Sequence, residues 1–273
     1  MGKTAFAIAE AQKLRCPIIN ADSRQIYREI PIGTAAPTAT EQAQVKHYFV
    51  GTRSLTEPYN AAMFEQDALT LLEQLFKRHD IVIMAGGAMM YIDAVCNGLD
   101  NIPSVTPDTR AKMQKLYLSN GLTWLQTQVE QVDPEYFAQV DRQNPQRLLH
   151  ALEIYYQTGQ PYSRFRLRKT EPRPFNIEII GLERPRQQLY QRINARGDQM
   201  MADGLLDEAK AVYHLRHLNS LNTVGYKELF SFFDGNITLE QAVTLIKQNS
   251  RHYAKRQLTW WRQNKQINWI TLN

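Results

Sequence analysis

Cysteine is scarce in this chain of 273 residues, and long apolar runs are absent. Cys16 and Cys96, the only cysteines, form no C-x-x-C pair, so the sequence indicates neither a disulfide framework nor a zinc site. Both are expected to be buried thiols. No apolar run approaches the roughly 20 residues needed to span a bilayer, and the N-terminus lacks the pattern of a signal peptide. We therefore expect a cytoplasmic protein without a membrane segment.

Acidic residues are absent after Glu240. This basic tail contains six positive charges: Lys247, Arg251, Lys255, Arg256, Arg262 and Lys265. Since the whole chain has a formal net charge of +5, the residues before the tail have a net charge of about −1. A basic segment at one end of a chain indicates a polyanionic partner.

The order of the predicted elements indicates an α/β fold with a helical insertion. With 43% hydrophobic residues, the chain can bury a substantial core. Residues 3–14 have a helical pattern and residues 17–21 form a short apolar run, which predicts a helix followed by a buried strand. From Gly98 to about 175 the pattern is mostly helical. We therefore predict a discontinuous core, 1–97 and 176–273, and a helical insertion, 98–175.

The first residues match the end of a phosphate-binding loop. Gly2, Lys3 and Thr4 occupy the last three positions of the pattern G-x-x-x-x-G-K-[ST] and lead directly into the first predicted helix. In such loops the backbone N–H groups and the lysine bind phosphate, and the hydroxyl binds Mg²⁺. The front of the loop and the strand before it are not in this sequence. The alternative is an ordinary solvated helix start, because this tripeptide also arises by chance.

Polar or glycine residues follow two predicted strands. Asp22 comes directly after the first strand, and ligands of α/β sheets lie beyond the carboxyl ends of strands. The alternative for Asp22 is a helix N-cap. Gly86 and Gly87 follow a strand at 81–85, and such a turn either brings N–H groups to an anion or only needs small residues.

Arginine pairs and clusters are further candidate anion sites. Arg192 and Arg196 are four residues apart, so they share a helix face and could bind a phosphate together, unless acidic side chains pair with them. A second group of basic residues consists of Arg164, Arg166, Arg168, Lys169 and Arg173. Two interpretations stay open for this group: a solvated loop, and a loop that contacts RNA.

The basic tail has a helical period with two faces. One arc contains cations: Lys247, Arg251, Lys255, Arg262 and Lys265. The other arc contains apolar and aromatic side chains: Val243, Ile246, Tyr253, Trp260 and Trp261. This pattern predicts a helix that packs through the apolar arc and presents its cations to solvent.

Several motifs occur together in one order along nearly the whole chain. They are Gly2-Lys3-Thr4, Asp22-Ser23-Arg24-Gln25-Ile26-Tyr27, Ile32-Gly33-Thr34-Ala35, Gly86-Gly87, Pro145-Gln146-Arg147, Arg192 to Arg196 with Met200 and Gly204, Val224-Gly225-Tyr226-Lys227, and Ala254-Lys255-Arg256-Gln257 with Trp260. In this combination the sequence resembles the tRNA dimethylallyltransferases, also called tRNA isopentenyltransferases.

The resemblance implies a P-loop NTPase-like parallel sheet core, nucleotide binding and a specific reaction. A dimethylallyl group would pass from dimethylallyl diphosphate to N6 of the adenosine just 3′ of the anticodon of tRNA. Asp22 would be the general base. Gly2, Lys3, Thr4 and Arg196 would bind and stabilise the diphosphate, with Mg²⁺ on Thr4. We expect a monomer.

The resemblance also implies a set of residues that bind the anticodon stem-loop of tRNA. They are Asp22, Ser23, Arg24, Gln25, Ala88, Gln146, Arg147, Leu148, Leu149, His150, Arg251, His252, Lys255 and Arg256. The adenosine would leave the anticodon stack to reach its pocket, a step similar to base flipping.

The sequence departs from the family at two places. Ala88 follows Gly86-Gly87 where the family usually has Thr or Ser, which removes a hydroxyl near the substrate. The family's first strand and the front of its phosphate loop are absent, and loss of a central strand is expected to destabilise the core.

The sequence leaves two other functions open. One is a tRNA-binding homologue with impaired catalysis, motivated by the two departures. The other is a P-loop kinase of a small metabolite, which leaves the basic tail and Gln146-Arg147 unexplained.

Overall fold

The computed structural model describes residues 2–167 and 170–272 and divides the chain into two units. The first unit consists of Met1–Cys96 and Arg173–Asn273, and the second is Asn97–Pro172. The sequence predicted the second unit at 98–175. Its assignment as a tRNA-binding insertion stays a prediction.

Strands occur only in the first unit among the described residues. They are β1 (Ile18–Ala21), β2 (His47–Tyr48), β3 (Ile83–Gly86), β4 (Ile179–Glu183) and β5 (Ile267–Thr271). The helices are α1 (Lys3–Leu14), α2 (Pro31–Thr34), α3 (Ala39–Gln44), α4 (Ala61–Leu75), α5 (Met89–Asn97), α6 (Pro107–Val132), α7 (Pro134–Gln139), α8 (Pro145–Thr158), α9 (Arg186–Ala202), α10 (Leu205–Val212), α11 (Tyr226–Phe233) and α12 (Leu239–Trp261).

The strands form two parallel sheets instead of the single sheet core expected from the sequence. One sheet has the order β2-β1-β3, and the other pairs β4 with β5. The prediction of an α/β fold with parallel strands is confirmed. Within the described part of the chain, β3 and β4 each pair with one strand only, so each leaves an open edge. A continuous P-loop-like sheet stays a prediction.

Strand β1 is the most deeply buried strand, and its carboxyl end organises the site. All four of its residues are buried, and Ile19 and Ala21 pack in one cluster with Phe64 of α4 and Tyr91 of α5. Strand β3 comes so close to β1 that a Cβ on Gly86 would lie 1.9 Å from the carbonyl oxygen of Ala21. Gly86, the last residue of β3, is therefore required by backbone contact, as the tight-turn interpretation holds.

The second unit is built around α6 and α8. Gly121, with a φ of 77°, interrupts α6, and Gly159, with a φ of 70°, ends α8. Leu148 and Leu149 are 0% and 3% exposed and lie in the core of this unit. These side chains therefore pack inside the unit, and the predicted contact of the two residues with tRNA stays a prediction.

The basic tail forms α12, and the predicted packing face is confirmed only in part, at Ile246. The buried residues of α12 are Ala242, Ile246 and Ala254, whereas Tyr253 and Trp260 are 37% and 39% exposed. The reason is that α9 packs against the other side of the helix. Periodicity alone does not indicate which arc meets a neighbouring helix.

Cys16 and Cys96 are free, buried thiols, as the sequence predicts. Burial raises the pKa of the Cys96 thiol to about 11. In the described ranges, every helix is too short or too polar to cross a bilayer.

Candidate active site

The start of α1 lies at the carboxyl ends of strands from both sheets. Gly2 has a φ of 105°, and a Cβ on it would lie 3.2 Å from Leu272 Cδ1, directly after β5. A Cβ on Gly87, after β3, would lie 3.2 Å from Lys3 Nζ. The structure therefore places Lys3 beside the strand ends, where the phosphate-loop interpretation requires it.

Asp22 fixes the turn that follows β1. Its Oδ1 accepts hydrogen bonds from the backbone N–H groups of Arg24 (3.0 Å) and Gln25 (3.4 Å). Asp22 therefore caps a turn, whereas the alternative that the sequence left open was the cap of a helix. Within the described part of the chain, no hydrogen bond engages Oδ2 of Asp22. The same carboxylate is therefore held by one oxygen and retains the other for chemistry.

Electrostatics link Asp22, Lys3 and Arg196. Desolvation lowers the pKa of Lys3; the Asp22 carboxylate opposes this change and the Arg196 guanidinium adds to it. Desolvation also lowers the pKa of Arg196, and Asp22 again opposes it. Both cations retain exposed surface, and both interact electrostatically with Asp22, so the three groups lie near one another.

Helix α12 provides two residues that the sequence analysis did not assign to the site. Tyr253 donates from its hydroxyl to the carbonyl oxygen of Gly87 (3.1 Å), and Gln257 donates from Nε2 to the same oxygen (2.7 Å). Burial raises the pKa of Tyr253, and Asp22 raises it further, so the hydroxyl remains a donor. The sequence signal for Gln257 is the motif Ala254-Lys255-Arg256-Gln257.

Other predicted tRNA-binding residues near β1 have internal partners. Gln25 donates from Nε2 to the carbonyl oxygens of Thr34 and Ala35, both at 2.9 Å. Arg24 donates from Nη1 to the carbonyl oxygen of Ser23 (3.4 Å) and from Nη2 to that of Asn219 (3.1 Å). These bonds show a structural role for both side chains.

Ala88 is 8% exposed and belongs to the core cluster with Tyr91. Its N–H donates to the carbonyl oxygen of Ala21 (3.2 Å). The methyl group therefore packs in the core, and the predicted contact of Ala88 with tRNA stays a prediction.

Among the cations of α12, some have partners on α9. Lys247 Nζ lies 2.5 Å from Asp198, and Arg251 donates from Nη1 to Asn194 Oδ1 (2.6 Å). His252, Lys255 and Arg256 are exposed, as are Gln146 and Arg147 in the second unit. His150 is half-buried and pairs with Glu153 (3.6 Å).

Arg173, the last residue of the predicted basic loop, has internal partners. Arg173 donates from Nη2 to Glu65 (2.5 Å) and from Nε to the carbonyl oxygen of Val95 (2.9 Å), and its side chain is 7% exposed. An RNA-contacting or solvated Arg173 is therefore wrong. Arg168, Lys169 and Met1 lie outside the described residues.

A divalent cation would have few protein ligands here. The described ranges contain no cluster of three or more His, Cys, Asp or Glu side chains suited to a metal. Mg²⁺ is commonly held by one or two side chains together with substrate phosphates and water. The Thr4 hydroxyl in the first turn of α1 fits a magnesium ion that is held by one side chain together with phosphates and water.

A carboxylate and two cations near the ends of parallel strands are typical of α/β enzymes that act on phosphorylated substrates. A sequence profile described as IPP transferase matches residues 25–264. The tRNA dimethylallyltransferase 1 of Phocaeicola vulgatus is 53% identical over 270 residues, which cover 99% of this chain and 90% of that protein. The chain therefore belongs to the IPP transferase family, and the predictions of this family and of a prenyltransferase are confirmed.

Solved structures agree with this assignment. The full-length tRNA isopentenylpyrophosphate transferase of Bacillus halodurans has a TM-score of 0.70 and 36% identity, covering 99% of this chain and 86% of that one. A eukaryotic dimethylallyltransferase acting on tRNA has a TM-score of 0.77, covering 99% of this chain and 71% of that one. At 24% identity, this second likeness shows the fold alone.

Proposed function

We propose that this protein transfers a dimethylallyl group from dimethylallyl diphosphate to N6 of the adenosine 3′-adjacent to the anticodon of tRNA. The observation that supports this reaction most directly is the proximity of Asp22 to the cations Lys3 and Arg196. The family supports the same reaction, since its relatives are tRNA dimethylallyltransferases.

In this proposal Asp22 is the general base. The exocyclic amine of adenine is a poor nucleophile because its lone pair is delocalised into the ring. As the N6–C bond forms and the C–O bond to diphosphate breaks, Oδ2 of Asp22 accepts the proton of N6. Oδ1 stays in the hydrogen bonds to Arg24 and Gln25, so the carboxylate keeps its position during the reaction.

The leaving diphosphate requires positive charge. Lys3 and Arg196 supply it in a partly desolvated cleft, where charge interactions are stronger than in bulk water. The N–H groups at the start of α1, from Gly2 onward, add the favourable end of the helix dipole. Thr4 would be the protein ligand of Mg²⁺, which when bound would neutralise further charge on the diphosphate.

Exposed polar residues in each unit are proposed to bind the tRNA. In the first unit these are His252, Lys255 and Arg256 on α12, and in the second they are Gln146 and Arg147 at the start of α8. Cations that contact phosphates make binding depend on salt. An exocyclic amine inside a stacked loop must leave the stack, so aromatic or polar walls of the cleft would receive the base.

The test is transfer of labelled dimethylallyl diphosphate to an anticodon stem-loop by the purified protein. Label on N6 of the adenosine, and its absence with guanosine at that position, is the expected result. Salt-sensitive tRNA binding without transfer would favour the catalytically impaired homologue. ATP consumption without tRNA would favour the small-molecule kinase.

A further inference from the structure

Helix α2 is held at its N-terminal end by a carboxylate from a distant part of the chain. Glu208 of α10 accepts hydrogen bonds from the N–H groups of Ile32 and Gly33, both at 2.8 Å, one on each oxygen. The residue before α2, Ile30, has no side-chain acceptor to cap the helix. Glu208 therefore provides the acceptors that an N-cap residue usually provides.

Tyr226 holds Glu208 in turn. Its hydroxyl lies 2.5 Å from Glu208 Oε1 and 3.3 Å from the carbonyl oxygen of Ile30, and the residue is fully buried. Burial raises the pKa of Tyr226, and Glu208 raises it further, so the hydroxyl stays protonated and donates. A Cβ on Gly33 would lie 2.4 Å from this hydroxyl, so only glycine permits the approach.

The C-terminal end of α2 is held by the turn that contains Asp22. Gln25 donates from Nε2 to the last carbonyl oxygens of α2 and its flank, those of Thr34 and Ala35. The N–H of Gln25 itself lies 3.4 Å from Oδ1 of Asp22. Hydrogen bonds thus run without interruption from Tyr226 through Glu208, α2 and Gln25 to Asp22.

We propose that Glu208, oriented by Tyr226, is a positioning residue for the Asp22 carboxylate and acts on it through α2 and Gln25. This inference rests on the proposed function, in which Asp22 accepts the proton of N6. Because the helix is only four residues long, a shift at the end that Glu208 holds is expected to reach the end that Gln25 holds. Small displacements of a reacting group cost large factors in rate.

The decisive variant is Glu208→Gln, which keeps the side-chain volume but replaces one acceptor by an amide that cannot accept an N–H. The expected result is a fall in kcat of about tenfold with a KM for the tRNA stem-loop within about twofold of the unmodified protein. The Tyr226→Phe variant is expected to have a smaller effect in the same direction.

Glu228→Gln is the matched control. Glu228 is 5% exposed and accepts from the N–H of Gly225 (2.8 Å) and Nδ2 of Asn249 (2.7 Å), without a hydrogen bond to α2. This variant is expected to lower Tm and to leave kcat of the folded protein unchanged. Equal losses of kcat in Glu208→Gln and Glu228→Gln would overturn the proposal in favour of general destabilisation.

A second measurement tests the route through Gln25. The double variant Glu208→Gln, Gln25→Leu is expected to lose no more kcat than the more impaired single variant, because both changes break one path. Multiplied losses would overturn the proposal. Hydrogen exchange at the Arg24 and Gln25 amides is expected to accelerate in Glu208→Gln but not in Glu228→Gln.

The exchange measurement separates this proposal from the proposed function. If the unmodified protein transfers no dimethylallyl group, the proposed function fails, whereas exchange at Arg24 and Gln25 still reports whether Glu208 fixes the turn. Unchanged exchange in Glu208→Gln would overturn the positioning role even in an active enzyme.

Discussion

Gln257 on α12 donates a hydrogen bond to the carbonyl oxygen of Gly87, 2.7 Å away in the loop after β3. That loop also packs against Lys3. Since α12 carries the exposed cations Lys255 and Arg256, the helix proposed to bind tRNA is directly fixed to the loop beside the proposed diphosphate site. In the proposed function, tRNA binding and the chemical step therefore both depend on this hydrogen bond.

Gly87→Ala tests this contact. The new methyl group would lie 2.5 Å from Gln257 Nε2 and 3.2 Å from Lys3 Nζ, and both are ends of flexible side chains that can move. We expect a folded protein that is less stable by about 1 kcal/mol and has a kcat lower by roughly 10- to 100-fold. Steady-state transfer kinetics and thermal unfolding measure the two effects.

Gly86→Ala is the comparison for that variant. Its methyl group would lie 1.9 Å from the backbone oxygen of Ala21, which cannot move without breaking the sheet. This protein is expected to unfold at a much lower temperature than Gly87→Ala. A Gly87→Ala protein with unchanged kcat would contradict the account of the loop.

Lys3→Met is expected to remove activity and to raise stability at neutral pH. Desolvation lowers the pKa of Lys3 below its ordinary value of 10.5, so the unfolded chain binds this proton more tightly and the charged side chain destabilises the folded state. The gain in Tm is expected at pH 7 and to shrink as the pH rises towards 10.5, where Lys3 loses its proton in both states. The kcat should fall about 100-fold, because one charge that stabilises the leaving group is lost.

Lys13→Met is the control on the same helix. Lys13 is exposed and pairs with Glu10 at 3.6 Å, a surface ion pair that contributes little. Neither Tm nor kcat should change appreciably. A Lys3→Met protein that is less stable than the unmodified protein at pH 7 would show that Lys3 is not desolvated as described.

Local signals in the sequence predicted most elements, because helices and buried strands depend on nearby residues. The helix at 3–14 and the strand before Asp22 are examples, and both predictions are confirmed. The contacts that assemble the site join distant residues, such as Glu208 with Gly33, and no local pattern specifies them. Periodicity likewise divides α12 into two arcs. It does not indicate which arc packs against α9, because that contact joins distant parts of the chain.

Lys255→Gln and Lys247→Gln should separate tRNA binding from packing. Lys255 is exposed, so its loss is expected to weaken tRNA binding and to reduce the slope of log K against log salt by about 0.7 to 0.9. Lys247 is paired with Asp198 at 2.5 Å, so its loss should lower Tm slightly and leave the salt slope unchanged. Equal salt slopes in the two variants would contradict the proposed tRNA surface.

The central claim is that the Asp22 carboxylate takes the proton of N6, and Asp22→Asn tests it most directly. The amide keeps an oxygen that can accept from Arg24 and Gln25, so the turn and tRNA binding should persist, but the group is no longer a base. The measurement is transfer of labelled dimethylallyl to the stem-loop, alongside its dissociation constant. The account predicts loss of transfer by a factor of about 100 or more with an unchanged dissociation constant, and transfer by Asp22→Asn at the unmodified rate would contradict it.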